Sequence, residues 1–309
     1  MLPIHFAPLQ GYTDDVYRRT HHKLIGGVHS YYTPFVRVEV GEVRSKDVRD
    51  IDPENNINTP VVPQIIFNNR KEFDYLTSRV EVLGYKHIDL NMGCPFPLQA
   101  KHGRGAGILP HPNIVKDVAE AIREHSETTF SVKMRLGWKN RDEAEEIINI
   151  LNDIPLKHIT LHPRTGAQQY KGEVDFNMFE KLYNFSRNPL IYNGDIHTIE
   201  EIRDIEKRFP GLSGIMIGRG LLCNPSMALE YSTNEEWDTR KRISAMMRLH
   251  ENLKAEYSRY LNGDTQLHNK LRTFWEYTEP LLGRKSYKKI MKSGNLKNYY
   301  LAVDELRFL

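Results

Sequence analysis

Eight short apolar runs, at residues 4–7, 29–32, 61–67, 87–90, 130–134, 158–161, 190–192 and 214–217, punctuate the first 230 residues. Polar or amphipathic connections separate each from the next, and that alternation limits the fold more than any other feature. Runs this short, bounded by Gly, Pro, Asn or Asp, are strands rather than helices. Strands joined by connections of a dozen residues or more pair in parallel, because a tight turn can only reverse the chain. Several connections have helical character. Residues 70–83, 112–125 (with Pro112 in the first turn) and 141–151 are examples, and 198–208 opens on Thr198 with Glu201 three residues later, a capping box. The second connection, residues 39–60, is polar and Asn-rich and reads as an extended loop. Eight β/α units in this length close naturally as an α/β (β/α)8 TIM barrel, with a doubly wound open sheet as the alternative that periodicity leaves open.

The strand pattern stops near residue 232, and helical stretches follow at 240–260, 266–281, 287–292 and 298–307. Ile243, Met246, Met247, Leu249, Leu253 and Tyr257 are spaced for one apolar face. The chain is therefore expected to divide into a barrel domain, residues 1–235, and a small all-helical C-terminal domain, residues 236–309. Charge divides at the same place. The tail carries 15 Lys/Arg against 9 Asp/Glu, a net of +6, whereas the barrel segment carries a net of −3. Such asymmetry fits a tail that meets a polyanion, with an ordinary solvated basic surface as the competing reading. No run approaches the roughly 20 apolar residues that span a bilayer, no basic-then-apolar leader opens the chain, and two cysteines cannot form a disulfide framework. A cytoplasmic protein with reduced thiols and no membrane contact is the expectation.

In such barrels the site lies at the C-terminal ends of the strands. The first strand ends in Pro8, Leu9 and Gln10, the third contains Gln64, and the fourth leads to Asn91 and Cys94. The fifth runs through Lys133 and Arg135, and the sixth ends at His162 and Arg164. The seventh ends at Asn193, Gly194 and Asp195, and the eighth at Gly218 and Arg219. Glycines after strands seven and eight allow close approach of backbone N–H groups to a phosphate, and Arg219 adds charge. Lys133 stands inside an apolar strand, where an ammonium needs an anionic partner unless it reaches solvent at the strand end. Gln64 can present an amide to a heterocycle edge or hold a bond within the barrel. No zinc spacing accompanies His162, so no metal is expected. Cys94 lies where a strand ends and a loop with Gly103, Gly105 and Gly107 begins, a position suited to chemistry or to plain packing. Cys223 reads as a packing residue.

The ordered segments APLQGYTD, NMGCP, VKMR, HPRTGAQQYKG, YNGDI and IMIGRG together resemble the dihydrouridine synthases over roughly residues 3 to 225. The helical tail is similar in kind to that family's RNA-binding domain. The resemblance implies an FMN-bearing barrel that reduces particular uridines in tRNA, with NADPH reducing the flavin, and a monomer is expected. It implies that Pro8, Leu9 and Gln10 line the flavin, that Gln64 and Lys133 contact its ring with His162 close by, and that Asn193, Gly194, Asp195, Gly218 and Arg219 surround its phosphate. Cys94 becomes the catalytic acid, Asn91 sits beside the substrate uracil, and Arg135 and Arg164 are assigned to substrate. Leu9 stands where the family usually has Met, and Leu221 where a smaller residue is common. The alternative is a flavin-dependent dihydropyrimidine or dihydroorotate oxidoreductase acting on a free base, which has little need of a basic tail.

Reducing a 5,6 double bond takes a hydride at one carbon and a proton at the other. A thiol with a pKa of about 8.5 is protonated at neutral pH and can supply the proton. The glycines after Cys94 are expected to let that loop close over an extruded base. The basic run at residues 284–289, Lys288 and Lys289 above all, is expected to grip phosphates.

Overall fold

The computed structural model describes residues 1–308. All eight strands form, at Ile4–Phe6, Ser30–Tyr32, Val61–Val62 continued by Gln64–Ile65, His87–Met92, Thr129–Arg135, Ile159–His162, Leu190–Asn193 and Gly214–Ile217. Every pairing among them is parallel. The third strand is divided at Pro63, which has no N–H to give to a ladder. Its first half pairs with strand two and its second half with strand four, so the two ends of the sheet are one strand and the barrel closes. The open-sheet alternative is excluded by that closure.

Alternation along the strands separates two environments. Ile88, Leu90 and Met92 of strand four, and Phe130, Val132 and Met134 of strand five, are fully buried under the surrounding helices. The intervening residues point into the barrel. That interior holds a small apolar group of Ala7, Tyr32, Val62, Ile191 and Met216 among polar side chains. At its closed end His5, His87 and His158 lie with ring centroids about 6 Å apart, and burial lowers each to about 3, so the cluster is neutral.

The expected helices appear at Arg70–Val82, Pro112–Glu124, Glu143–Leu151 and Ile199–Arg208, the last with both bonds of the Thr198–Glu201 capping box. Residues 39–60 depart from expectation. They contain an antiparallel pair, Val38–Glu39 with Glu42–Val43, a helix Ser45–Ile51 and a 3-10 turn Pro53–Asn56. The reason is Arg18, fully buried on the helix Asp15–Leu24. Its guanidinium donates to the Asp50 carbonyl and to Asn56 Oδ1 at 2.9 Å, so polar residues that read as solvated are buried partners of a distant cation.

The tail forms helices Thr239–Tyr257, Asp264–Thr273, Glu279–Met291 (kinked at Gly283) and Leu296–Asp304. The stretch expected as one helix over 266–281 is thus broken between Thr273 and Glu279. Trp275, completely buried in that break, donates through Nε1 to Tyr299 Oη at 2.7 Å, and His250 Nε2 lies 2.6 Å from the same oxygen. The tail packs against the loop after strand one. Tyr257 Oη donates to Asp14 at 2.8 Å, and Lys270 Nζ donates to Asp14 at 2.7 Å and to the Gly11 carbonyl at 3.0 Å.

Candidate active site

The strand ends converge on one cavity of about 530 Å³ at the C-terminal mouth of the barrel, a size that suits a flat, drug-sized or cofactor-sized molecule. Pro8, Leu9, Gln10, Gln64, Asn91, Cys94, Lys133, Arg135, His162, Asn193, Gly194, Asp195, Gly218 and Arg219 all line it. Arg164 lies just behind this wall, and Lys288 and Lys289 lie apart from it on the exposed face of the helix Glu279–Met291.

Positive charge dominates the cavity. Lys133 donates through Nζ to Asn193 Oδ1 at 2.8 Å, and no carboxylate stands within ion-pair distance of it among the described residues. Burial and the neighbouring Arg135 guanidinium lower its ammonium to about 8. Arg135 is likewise buried without a carboxylate. It donates to the carbonyls of Gly93, Thr165 and Gln169, and burial lowers it to about 10. His162 accepts from Arg164 Nη1 at 3.3 Å, and burial among four cations pushes it well below its ordinary value, so it is neutral.

Asp195 is held below the usual carboxylate range by hydrogen bonds from Arg164, which engages it with both nitrogens, and by Arg219 at 3.0 Å. Two guanidiniums against one carboxylate leave a net positive charge beside Gly194 and Gly218. Asp195 itself sits in the left-handed region at φ 42°, and Gly194, Asp195 and Gly218 all line the cavity. Gly220 is required here for close packing, since a side chain would run into the Ile196 carbonyl.

Cys94 is pinned from both sides. Its N–H and that of Gly93 donate to Asn91 Oδ1 at 2.9 and 3.2 Å, and its carbonyl accepts from Ala106 N at 3.0 Å. Burial pushes its thiol above the ordinary value, with Arg135 and Lys133 opposing only in part, so Sγ stays protonated at neutral pH. The segment after it is not the flexible loop expected. It forms a helix Pro97–Lys101 and a 3-10 turn Gly105–Ile108, with Gly105, Ala106, Gly107 and Ile108 buried. A side chain on Gly105 would stand 2.7 Å from the Cys94 carbonyl oxygen, so this glycine permits close packing under the thiol.

Several lining residues escaped the sequence reading. Tyr170 carries the Arg219 guanidinium 4.4 Å from its ring centroid and is 48% exposed at the mouth. It stands in HPRTGAQQYKG, where an aromatic between two basic strand ends was a usable signal. Arg37, just before the segment read as a loop, and Tyr277, from the tail, had none. Tyr277 packs on Tyr12 with ring centroids 5.3 Å apart, so the tail supplies part of the cavity wall.

A family model described as dihydrouridine synthase matches residues 5–305. A probable tRNA-dihydrouridine synthase of Staphylococcus aureus (strain COL) is 26% identical over 313 residues, covering 97% of this chain and 91% of that protein. A probable tRNA-dihydrouridine synthase 1 of Synechocystis sp. is 31% identical over 228 residues, covering 72% of this chain and 62% of that protein. Among solved structures, histamine dehydrogenase from Rhizobium sp. 4-9 shares the fold at a TM-score of 0.55 and 12% identity, over 80% of this chain and 48% of that one.

Proposed function

The chain belongs to the dihydrouridine synthase family, and on that footing we propose that it reduces the 5,6 double bond of specific uridines in tRNA, using FMN reduced by NADPH and a proton from Cys94. The observation that carries this reading is a neutral thiol facing one cavity into which two buried cations, Lys133 and Arg135, project without a carboxylate in ion-pair distance among the described residues. FMN fits that donor set. Lys133, held by Asn193, would meet the electron-rich edge of its ring, with Pro8, Leu9, Gln10, Gln64 and His162 around it. The backbone of Gly194, Asp195 and Gly218, with Arg219, would hold its phosphate. Arg164 serves this site indirectly, by neutralising Asp195.

Held there in reduced form by these residues, FMN would supply the hydride chemistry needed at C6 of the uracil. Cys94 holds the matching proton on Sγ and delivers it to C5, so the thiol acts as an acid and burial keeps it loaded. Lys133 and Arg135 stabilise negative charge that develops on the ring or on the substrate carbonyls as the proton moves. His162, being neutral, contributes a hydrogen bond rather than a charge. A uridine reaches this mouth only after leaving its stack, at a cost of a few kcal/mol. The exposed cations Arg284, Lys285, Lys288 and Lys289 offer phosphate contacts that repay such a cost.

Free-base reduction is not favoured, because the curated relatives are named for tRNA and a free pyrimidine makes no use of an exposed basic helix. The test is incubation of the purified protein with unmodified tRNA, FMN and NADPH, followed by mapping of dihydrouridine. Cys94→Ala should keep the flavin spectrum and its reduction by NADPH yet form almost no product. Reduction of free uracil or orotate with tRNA left unchanged would overturn the proposal.

A further inference from the structure

Beneath Cys94, four hydrogen bonds run in one direction through the barrel interior. The N–H groups of Gly93 and Cys94 donate to Asn91 Oδ1, Asn91 Nδ2 donates to Gln64 Oε1 at 2.7 Å, and Gln64 Nε2 donates to Asp89 Oδ2 at 2.7 Å. Asp89 and Gln64 have no solvent exposure and Asn91 is 7% exposed. The parallel register makes this possible, since Gln64 is the cross-strand partner of Asp89 and Asn91 lies two residues further along the same strand face.

The two ends of the chain fix its direction. Backbone N–H groups can only donate, and an ionised carboxylate can only accept. The two amides between them must therefore turn their oxygens toward Cys94 and their nitrogens toward Asp89. Burial raises the Asp89 carboxyl to about 6, with bonds from Gln64 and Ser131 opposing, so it is ionised at neutral pH. The free energy of such a directional network lies in its full satisfaction, and one reversed member leaves a buried acceptor facing an acceptor.

We propose that Asp89 is a positioning residue for Cys94, acting through Gln64 and Asn91 to hold the backbone of the thiol-bearing turn. The catalytic consequence rests on the role of Cys94 given above; the positioning itself does not. Asp89 touches neither the cavity nor the thiol, and its influence passes through two amides whose orientations it sets.

Exchanging the two ends of the relay tests this. Asn91→Asp keeps an acceptor for the Gly93 and Cys94 N–H groups, but it forces Gln64 to flip and to face Asp89 oxygen to oxygen. Adding Asp89→Asn supplies a donor to the flipped Gln64 while still accepting from Ser131. The double variant carries one buried carboxylate, as the parent does, so the comparison of these two proteins, equal in net charge and opposite in polarity, reports the direction of the chain. In a Cys223→Ser background, iodoacetamide alkylation of Cys94 and the melting temperature would be measured without flavin or RNA. Asn91→Asp should change the alkylation rate about tenfold and lower the melting temperature, the scale of one buried hydrogen bond turned repulsive. The double variant should recover most of both changes. Ser131→Ala, which removes the other donor to Asp89, should leave alkylation at the parent rate. A double variant no better than Asn91→Asp alone, or an Asn91→Asp protein that alkylates and melts like the parent, would overturn the proposal. Rescue of alkylation and melting, with a parent protein that itself forms no dihydrouridine, would instead sink the proposed activity and leave the positioning chain standing.

Discussion

Replacing Lys133 by Met should make the protein without its cofactor more stable and make it a poorer binder of FMN. The ammonium lines the cavity, has one neutral partner at 2.8 Å in Asn193, and is lowered from 10.5 to about 8 chiefly by burial. A shift of that size corresponds to roughly 3 kcal/mol against folding, at 1.36 kcal/mol per pKa unit. The sign follows from linkage. The folded pKa lies below the unfolded one, so the cost is complete below pH 8, where both states hold the proton, and it disappears as pH rises from 8 through 10.5. Methionine fills nearly the same volume without a charge, although it leaves Asn193 Oδ1 without its donor, which costs roughly 1 kcal/mol. The expected net is a gain of roughly 1–2 kcal/mol at pH 7, seen in urea unfolding of the cofactor-free protein, that fades near pH 10. FMN affinity, measured by quenching of flavin fluorescence, should fall about tenfold to a hundredfold, because a charge-assisted contact is worth roughly 1.5–3 kcal/mol. A cofactor-free Lys133→Met protein that is less stable than its parent at pH 7 would refute the view of an uncompensated cation held for an anionic ring.

Gly105→Ala should displace the Cys94 turn, since the added carbon meets the Cys94 carbonyl at 2.7 Å and the backbone stands at φ 60°; loss of dihydrouridine formation with retained FMN binding is the expected pattern, and normal product formation would show that this close contact does not hold the thiol in place. Lys288→Gln with Lys289→Gln should weaken tRNA binding evenly across sequences and reduce the slope of log affinity against log salt by about one for each phosphate no longer neutralised. An unchanged salt slope would remove this helix from the RNA-binding surface. Lys289 also pairs with Glu305, so Lys288→Gln alone is the cleaner of the two. The His158 imidazole is lowered to about 3 by burial, so it stabilises the neutral fold above pH 6.5 and loses that contribution as pH falls toward 3. His158→Gln should therefore lose less stability on acidification from pH 6.5 to 4 than the parent, by about 1.4 kcal/mol per pH unit, and equal slopes in urea titrations would show that this imidazole is already solvated.

The parts of the site that were legible in the sequence share one property: each lies at the C-terminal end of its strand or within a few residues after it. Cys94, Lys133, His162, Asn193 and Arg219 were found by reading the end of each apolar run, and all line one cavity. Roles that depend on a partner elsewhere in the chain were not legible. Arg164 reads as a free cation for substrate, yet Asp195, 31 residues away, takes its charge. Gln64 reads equally as a contact for a ring or as a bond within the barrel, and only the register between strands shows that both ends of its amide are engaged within the barrel. Gly105 and Gly107 read as a hinge, because sequence shows that a side chain is absent and does not show which atoms occupy its place.

The eight strands, four of the barrel helices and the order of groups around the mouth were legible in the residues taken in order, because strand period, caps and turn chemistry are local and act within about ten residues. The tertiary structure alone decided which cations keep an uncompensated charge, why Arg18 draws residues 39–60 into a packed segment, and how Asp89 reaches Cys94 through Gln64 and Asn91. Those outcomes depend on register between strands and on desolvation at closure. Both exist only once distant segments share one interior, where a charge is strong and an unpaired polar group costs most.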